Sequence, residues 1–493
     1  MRFPVACTVS LLELSIAVAC APANEQDPAR ILDRVAGALG GQDRISAVRT
    51  LILQGEGENY NLGQNLTPEA DLPMFQVTEF QRTIDFENSR WRQEQSRVPT
   101  YFTAVANPQR QVTAIDGDIA FNVVPSGDVI RASDVVARDR RRELSHHPIG
   151  ILRAAWQPGA LLRLEQQDSL HSIIGIDADE ESHSLVIDRS TNLPVAVRTL
   201  TTHPNLGDVV VETSFADYRD SGGLQLPMHM TTKLDRFTIA DIRLSSATID
   251  PVVADLEATA EIRGAGSPAP QINITVEELA PGVWYLAGQS HHSAVIEFAD
   301  HLMLVEAPQS EERTLAVIAR ARELKPEKPL RYVVNTHHHF DHSAGLRAAI
   351  AEGLTVVAHA SSEAFVREIA ERPFTVSPDA LARAPRPLQI ETVSDRRVFE
   401  DATRRVEIFP LEGSRHAETL LAVYVPANRM LIEVDVYSPP APNAVNPPPA
   451  VFAPNLVENI RRLNIRVDRV VPLHGRVATF AELEAAARAA AAR

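Results

Sequence analysis

The stretch that decides the fold is Asn335-Thr336-His337-His338-His339-Phe340-Asp341-His342-Ser343-Ala344-Gly345. The apolar strand Tyr332-Val333-Val334 precedes it, so the polar side chains follow the C-terminal end of a buried strand. Ser343 is expected to cap the helix that follows. Neutral imidazoles and carboxylates at such close spacing are the ligands that zinc requires. This loop therefore offers four candidate metal ligands: His337, His339, Asp341 and His342.

Three later segments repeat this arrangement of a polar residue after an apolar strand. His416 follows the strand Val406–Pro410, Asp435 ends the run that begins at Leu431, and His474 follows Val470-Val471-Pro472-Leu473. Two metal ions in one cleft require about six protein ligands, which these segments and the first loop together provide. The alternative, that these histidines only pack in the core or lie on the surface, does not account for their shared position at strand ends.

The order of these motifs resembles that of the metallo-β-lactamase-fold hydrolases. The resemblance covers about residues 273–493 and implies an αββα sandwich. It assigns His337, His339 and His416 to a first metal and Asp341, His342 and His474 to a second, with Asp435 bridging both. This chain has Ser343-Ala344-Gly345 where Gly-Gly is usual, and Val434 where a glycine usually precedes the bridging aspartate. These differences bear on the subfamily, because the ligands themselves are intact.

Four further residues near the motifs have expected roles. His338 stands at a variable position of the motif and should point away from the metals. Glu306, after the strand Leu302–Val305, matches a position that is often aspartate in this fold, and we expect it to orient a metal ligand. His291 and its neighbour His292 fall in a hairpin that overhangs the site in relatives, where a substrate contact and a solvated turn are both open.

The chemistry expected of this site is hydrolysis by a hydroxide that bridges two divalent metal ions. Two such ions lower the pKa of a shared water towards neutrality. We predict two zinc ions per chain, with manganese or iron as alternatives, and Asp341 as a catalytic proton acceptor besides being a ligand. Both cysteines, Cys7 and Cys20, lie near the N-terminus, so a mature domain offers no thiol nucleophile.

The predicted substrate is a small-molecule carboxylic ester, thioester or lactone, because the bridging Asp435 is similar to that of the glyoxalase II, lactonase and esterase branches. A β-lactam, a phosphoester or a sulfate ester remains an alternative substrate. A different alternative is an apolar-ligand-binding protein in which the metal domain is secondary. The net charge of 48 − 64 = −16, without a basic cluster, disfavours a nucleic-acid partner.

The sequence predicts a two-domain α+β protein of 493 residues. Residues 1–23 are typical of an export signal, which predicts a periplasmic or secreted protein. Lipid attachment at Cys20 is an alternative to plain secretion. It is the only membrane anchoring that we predict. Residues 24–250 alternate like antiparallel strands and loosely resemble a half-open β-barrel. Residues 251–272, rich in Ala, Gly and Pro, are predicted as a linker to the metal domain at 273–493.

A proline-rich segment, Tyr437 to Pro449, begins two residues after Asp435. Its six prolines exclude a helix or a central strand and stiffen the chain. We predict a semi-rigid wall beside the cleft, with Tyr437 facing the substrate. The alternative is a surface connection.

Overall fold

The computed structural model describes residues 26–101, 108–269, 272–441, 444 and 447–492. The predicted signal segment 1–23, with Cys7 and Cys20, lies outside the described residues, as do positions 442, 443, 445 and 446 of the proline-rich segment. Within the described part of the chain, no helix has the length and apolar character needed to cross a bilayer.

The N-terminal region is one large antiparallel sheet, as predicted. Its order, β6-β5-β4-β3-β2-β1-β13-β12-β11-β10-β9-β8-β7, leaves β6 and β7 as opposite edges. The strands are β1 Thr50–Tyr60, β2 Met74–Asp85, β3 Arg90–Pro99, β4 Gln109–Asp116, β5 Ile119–Val123, β6 Val129–Arg131, β7 Leu161–Gln167, β8 His171–Ala178, β9 Glu181–Asp188, β10 Pro194–His203, β11 Gly207–Ser221, β12 Leu224–Leu234 and β13 Phe237–Ile249.

Helices pack on one face of this sheet: α1 Pro28–Leu39, α2 Gln42–Ala47, α3 Asp134–Arg142 and α4 Pro148–Ala155. Asp27 caps the start of α1 through its side chain, and Gly40 ends it in the left-handed conformation. One buried cluster joins Ile31 of α1 to Ile115 of β4 and Ile174 of β8, strands that lie towards opposite edges. The sheet must therefore curl around these helices.

The predicted linker is partly docked on the N-terminal sheet. It contains the short helix α5, Ala260–Gly264, and Ile262 and Ala258 are buried against Phe121 and Ala114. This part of 251–272 forms a helix and packs, because its few apolar residues reach a neighbouring apolar surface. The boundaries of the two domains remain predictions.

The C-terminal region is the predicted αββα sandwich. One sheet, β14 to β20 in sequential order, comprises Thr275–Ala280, Val283–Ala287, Ser293–Glu297, Leu302–Val305, Leu330–Val334, Thr355–His359 and Ile390–Val393. The other, β21 to β26, comprises Arg397–Glu400, Arg405–Pro410, Leu421–Val425, Met430–Glu433, Arg469–Pro472 and Ala478–Thr479. The helices α6 to α12 are Glu311–Leu324, Phe340–Ser343, Leu346–Ala351, Glu363–Glu371, Ala380–Arg383, Ala453–Arg462 and Phe480–Ala491.

Alternation along the buried strands accounts for the layers. In β17, Met303 and Val305 contribute to the core between the two sheets, while Leu302 and Leu304 face the core that contains Val317 of α6. Strands β17, β18 and β19 are parallel, and so are β24 and β25. Their C-terminal ends bring the loops that follow them to one edge of the sandwich, where the candidate site lies.

The two regions touch through charged and polar contacts. Arg236 holds both carboxylate oxygens of Glu368, at 2.7 and 3.1 Å. Arg372 Nη2 donates to Asp235 Oδ2 at 2.7 Å, and Asp208 accepts hydrogen bonds from the main chain of Thr375. These contacts fix the N-terminal strands β11 to β13 against the helix Glu363–Glu371 and the residues that follow it.

Candidate metal centre

One group of ligand atoms comprises His337, His339, His416 and Asp435, all within 4.8 Å of one another. Asp435 Oδ2 lies 3.3 Å from His337 Nε2 and 3.1 Å from His416 Nε2. These are the three histidines that the resemblance assigns to a first metal, together with the aspartate assigned to the bridging position.

A second group comprises His291, His342 and His474. Asp435 contacts this group as well, because its Oδ2 lies 2.9 Å from His342 Nε2 and its Oδ1 lies 2.9 Å from His474 Nε2. Asp435 therefore stands between the two groups, the position that a bridging ligand requires. The residue has a φ of 60°, in the left-handed region, which aspartate adopts more readily than most residues other than glycine.

Asp341 lies at the edge of the second group rather than within it. Its Oδ2 is 3.5 Å from His342 Nε2 and 3.2 Å from His291 Nε2. Its Oδ1 accepts a hydrogen bond from Gln64 Nε2 at 2.8 Å. The structure thus brings His291 to the metal position beside Asp341. The sequence left the role of His291 open, since only the spatial closeness of the β15–β16 hairpin to the loop after β18 shows the contact.

Hydrogen-bond acceptors next to these histidines determine which ring nitrogen of each can bind a metal. The carbonyl of Ser290 accepts from His474 Nδ1 at 2.6 Å, which leaves Nε2 facing Asp435. Glu306 Oε2 lies 3.4 Å from His342 Nδ1 and accepts from Thr336 Oγ1, so Glu306 is placed to orient a ligand as expected. Such outer partners fix the tautomer and ring direction of metal-binding histidines.

The residues present fit divalent metal ions. His337 and His339 are buried, and His339 Nδ1 has no hydrogen-bond partner among the described residues. A buried ring nitrogen without a partner is costly unless something else satisfies it. The donor set of imidazoles and carboxylates is the one that zinc prefers. His337, His339, His416 and Asp435 would hold one ion, and His342, His474, Asp435 and either His291 or Asp341 a second.

Burial and charge shift the pKa values of the histidines and of Asp435 at the site. Burial lowers the pKa of His337 to about 3, which keeps its ring neutral. Burial opposes the charge of His342, but Asp435 and Glu306 outweigh it and raise the pKa of this histidine above 6.5. The pKa of Asp435 is lowered despite burial, because His342 and His337 contact its carboxylate. A metal ion would displace the His342 proton.

Glu433 shapes the turn that carries the bridging aspartate. Its Oε2 accepts hydrogen bonds from the main-chain N–H groups of Val436 and Tyr437, each at 3.2 Å. Burial raises the pKa of Glu433 to about 8. No sequence pattern marked this residue, which reads as an ordinary strand end.

His338, Tyr437 and Ser343 have contacts that bear on their expected roles. His338 points away from the two groups, as expected, and hydrogen-bonds through Nδ1 to Thr419 Oγ1. The expectation for Tyr437 is wrong: only 3% of it is exposed, and it packs in the core between the layers. Ser343 does not cap α8, which begins at Leu346 after Gly345; its hydroxyl donates to the carbonyl of His339 instead.

An αββα sandwich with a histidine–aspartate cluster at its strand ends defines the class of metallo-β-lactamase-fold domains. Residues 287–432 match the family model described as the metallo-beta-lactamase superfamily, so the C-terminal region contains a domain of that superfamily. Membership in this superfamily indicates hydrolase activity.

Solved structures of metallo-beta-lactamases are similar to this chain over less than half of its length. The enzyme from Pontibacter korlensis is 16% identical, with a TM-score of 0.33 over 45% of this chain and 100% of its own. FIM-1 from Pseudomonas aeruginosa, in a mono-zinc form, is 18% identical, with a TM-score of 0.34 over 45% and 96%. The enzyme from Hirschia baltica is 20% identical, with a TM-score of 0.33 over 44% and 96%. No curated protein matches the sequence.

Proposed function

We propose that this protein is a dinuclear zinc hydrolase that cleaves a small carboxylic ester, thioester or lactone. The observation that carries the proposal is the position of Asp435, whose two carboxylate oxygens contact histidines of both groups at 2.9 to 3.3 Å. Two bound ions would supply Lewis acidity and a hydroxide nucleophile at neutral pH.

The chain's own residues would orient the reaction. Asp341 is more accessible than Asp435, because 42% of its side chain is exposed against 16% for Asp435. Its hydrogen bonds with His291 and Gln64 hold the carboxylate at the mouth of the site. A carboxylate held there can accept a proton from an entering water or pass one to a leaving group.

The test is a hydrolysis panel with the mature chain, loaded with zinc after chelation. The panel should contain aryl esters, thioesters, lactones, a chromogenic cephalosporin, a phosphodiester and a sulfate ester. We expect turnover of at least one ester, thioester or lactone, its loss on chelation and its return with zinc. Turnover confined to the cephalosporin, or to the phosphate or sulfate esters, would overturn the proposed substrate class.

A second candidate function, binding of an apolar ligand, is favoured by a cavity in the N-terminal sheet. The cavity has a volume of about 500 Å³, within the range of small-molecule sites, and its wall includes Leu53, Phe80, Val211, Met230 and Ile242. Titration with a fluorescent fatty acid tests this function. Saturable binding that Val211→Trp abolishes supports it, and absence of binding removes it.

We also propose that the protein is exported, from the character of residues 1–23. Cell fractionation with and without that segment tests the location. Globomycin-sensitive processing would show that Cys20 is lipid-modified, whereas insensitive processing indicates plain secretion.

A further inference from the structure

A loop of the N-terminal domain reaches into the candidate metal centre. This loop, residues 61–73, connects β1 to β2. Its Gly63 carbonyl accepts a hydrogen bond from Phe340 N at 3.1 Å, and its Leu66 carbonyl accepts one from Glu418 N at 2.8 Å. The loop is thus tied both to the His337–His342 segment and to the segment that carries His416.

Asn65 lies between Gly63 and Leu66 in this loop. Its carbonyl contacts the candidate metal ligand His339 directly. It is 2.9 Å from His339 Nε2 and 3.0 Å from His338 Nε2. A carbonyl can only accept, so His339 must carry its proton on Nε2. Its other ring nitrogen, Nδ1, is then the lone-pair atom, and this is the buried nitrogen without a hydrogen-bond partner among the described residues.

The neighbouring Gln64 acts on the other group. Its side-chain amide donates to Asp341 Oδ1 at 2.8 Å and leaves Oδ2 directed at His291 and His342. Gln64 therefore selects which carboxylate oxygen faces the second metal position.

Tight packing keeps the loop in place. Gly63 has a φ of 73°, and a Cβ there would lie 2.2 Å from the ring of Phe340. The side-chain amide of Asn65 donates to the Ala70 carbonyl at 2.6 Å, and the residue is only 5% exposed. An added methyl at Gly63 would force the loop and Phe340 apart, and with them the Asn65 carbonyl and His339.

We propose that the N-terminal domain completes the metal centre, with Gln64 and the Asn65 carbonyl as positioning groups for Asp341 and His339. The inference rests on the proposed metal site but not on the proposed substrate. Outer partners of this kind change metal affinity by about 10–100-fold. The N-terminal domain is thus a working part of the metal site rather than a separate module.

The test measures metal affinity in the full mature chain by competition with a chromogenic zinc chelator, together with the visible spectrum of the cobalt-substituted protein. The variants are Gln64→Ala, Asn65→Ala and Gly63→Ala. The matched control is Gln76→Ala, since Gln76 is an exposed glutamine whose amide donates to the Gly57 carbonyl away from the site. Circular dichroism and melting curves check the fold of each variant.

We expect Gly63→Ala and Asn65→Ala to weaken binding at one site and Gln64→Ala at the other, each by about 10–100-fold, with altered cobalt spectra. Gln76→Ala should match the unmodified chain. If Gly63→Ala misfolds, Gln64→Ala is the deciding variant, because it removes a half-buried amide without adding any atom to the site. Unchanged affinity and spectrum in folded Gln64→Ala and Asn65→Ala would overturn this inference alone. An unmodified chain that binds no metal would overturn the proposed function with it.

Discussion

The carbonyl oxygen of Asn65 lies 2.9 Å from Nε2 of His339, although the two residues are 274 positions apart in the chain. The contact joins a loop of the antiparallel sheet to a histidine of the metallo-β-lactamase-fold domain. It also defines which nitrogen of His339 can reach a metal. The two domains therefore share one centre. We expect substitutions in either domain to change metal binding there.

Glu306 should matter for metal binding although it is not a ligand. It is fully buried and lies 3.4 Å from His342 Nδ1. We expect Glu306→Ala to weaken binding of the second metal by about 10–100-fold, because His342 loses its orienting acceptor. Glu306→Gln should retain more affinity, since its amide oxygen can still accept. Calorimetric zinc titration measures both, and equal affinity in Glu306→Ala and the unmodified chain would contradict this role.

The N-terminal domain should lose stability in mild acid. Burial lowers the pKa values of His146 and His147 to about 3, while the unfolded chain protonates near 6.5. The unfolded state therefore binds more protons below pH 6.5, and stability falls as pH decreases from there towards 3. Each histidine contributes about 1.4 kcal/mol per pH unit in that window.

His147→Asn tests this acid sensitivity, because asparagine can still cap α4 as the His147 ring does. The measurement is urea unfolding at several pH values in a Trp284→Phe background, where Trp91 and Trp156 report on the N-terminal domain. The slope of the free energy of unfolding against pH should fall by about 1.4 kcal/mol per unit in His147→Asn. An unchanged slope would show that His147 is not kept neutral by burial.

Limited proteolysis should cut the chain after α5 rather than throughout 251–272. Ile262 and Leu256 are buried, whereas residues 265–269 lie outside helices and strands. We expect subtilisin to cleave near 265–274 and the two fragments to stay together, because Arg236–Glu368 and Arg372–Asp235 join the domains. Mass spectrometry locates the cut and gel filtration shows the association. Early cleavage within 256–264 would contradict the docking of α5.

Local pattern was sufficient to predict most of the residues that the structure brings together in the two groups of candidate ligands. His337, His416, Asp435 and His474 each follow an apolar strand, and parallel strands bring such ends to one edge of a sheet. The same reasoning could not choose between roles for His291, because a hairpin's position over the site depends on packing of the whole sandwich.

Local sequence pattern could not predict the contacts between the domains. Nothing in the sequence around Gln64 distinguishes it from any polar loop residue, and its partner Asp341 lies 277 positions away. The docking of α5 could not be predicted because the segment is rich in Ala, Gly and Pro. Only a few of its side chains are apolar and pack on the N-terminal sheet. Tyr437 was misplaced because nearness to Asp435 along the chain does not fix which way a side chain points.

The metal content of the purified mature chain tests the central claim most directly. Inductively coupled plasma mass spectrometry after zinc loading and removal of free metal should give about two zinc ions per chain, and about one in His342→Ala and in His474→Ala. His171→Ala, which changes a histidine at the start of β8 in the N-terminal sheet, should keep two. Less than one ion in the unmodified chain, or two in both site variants, would contradict the two-metal centre.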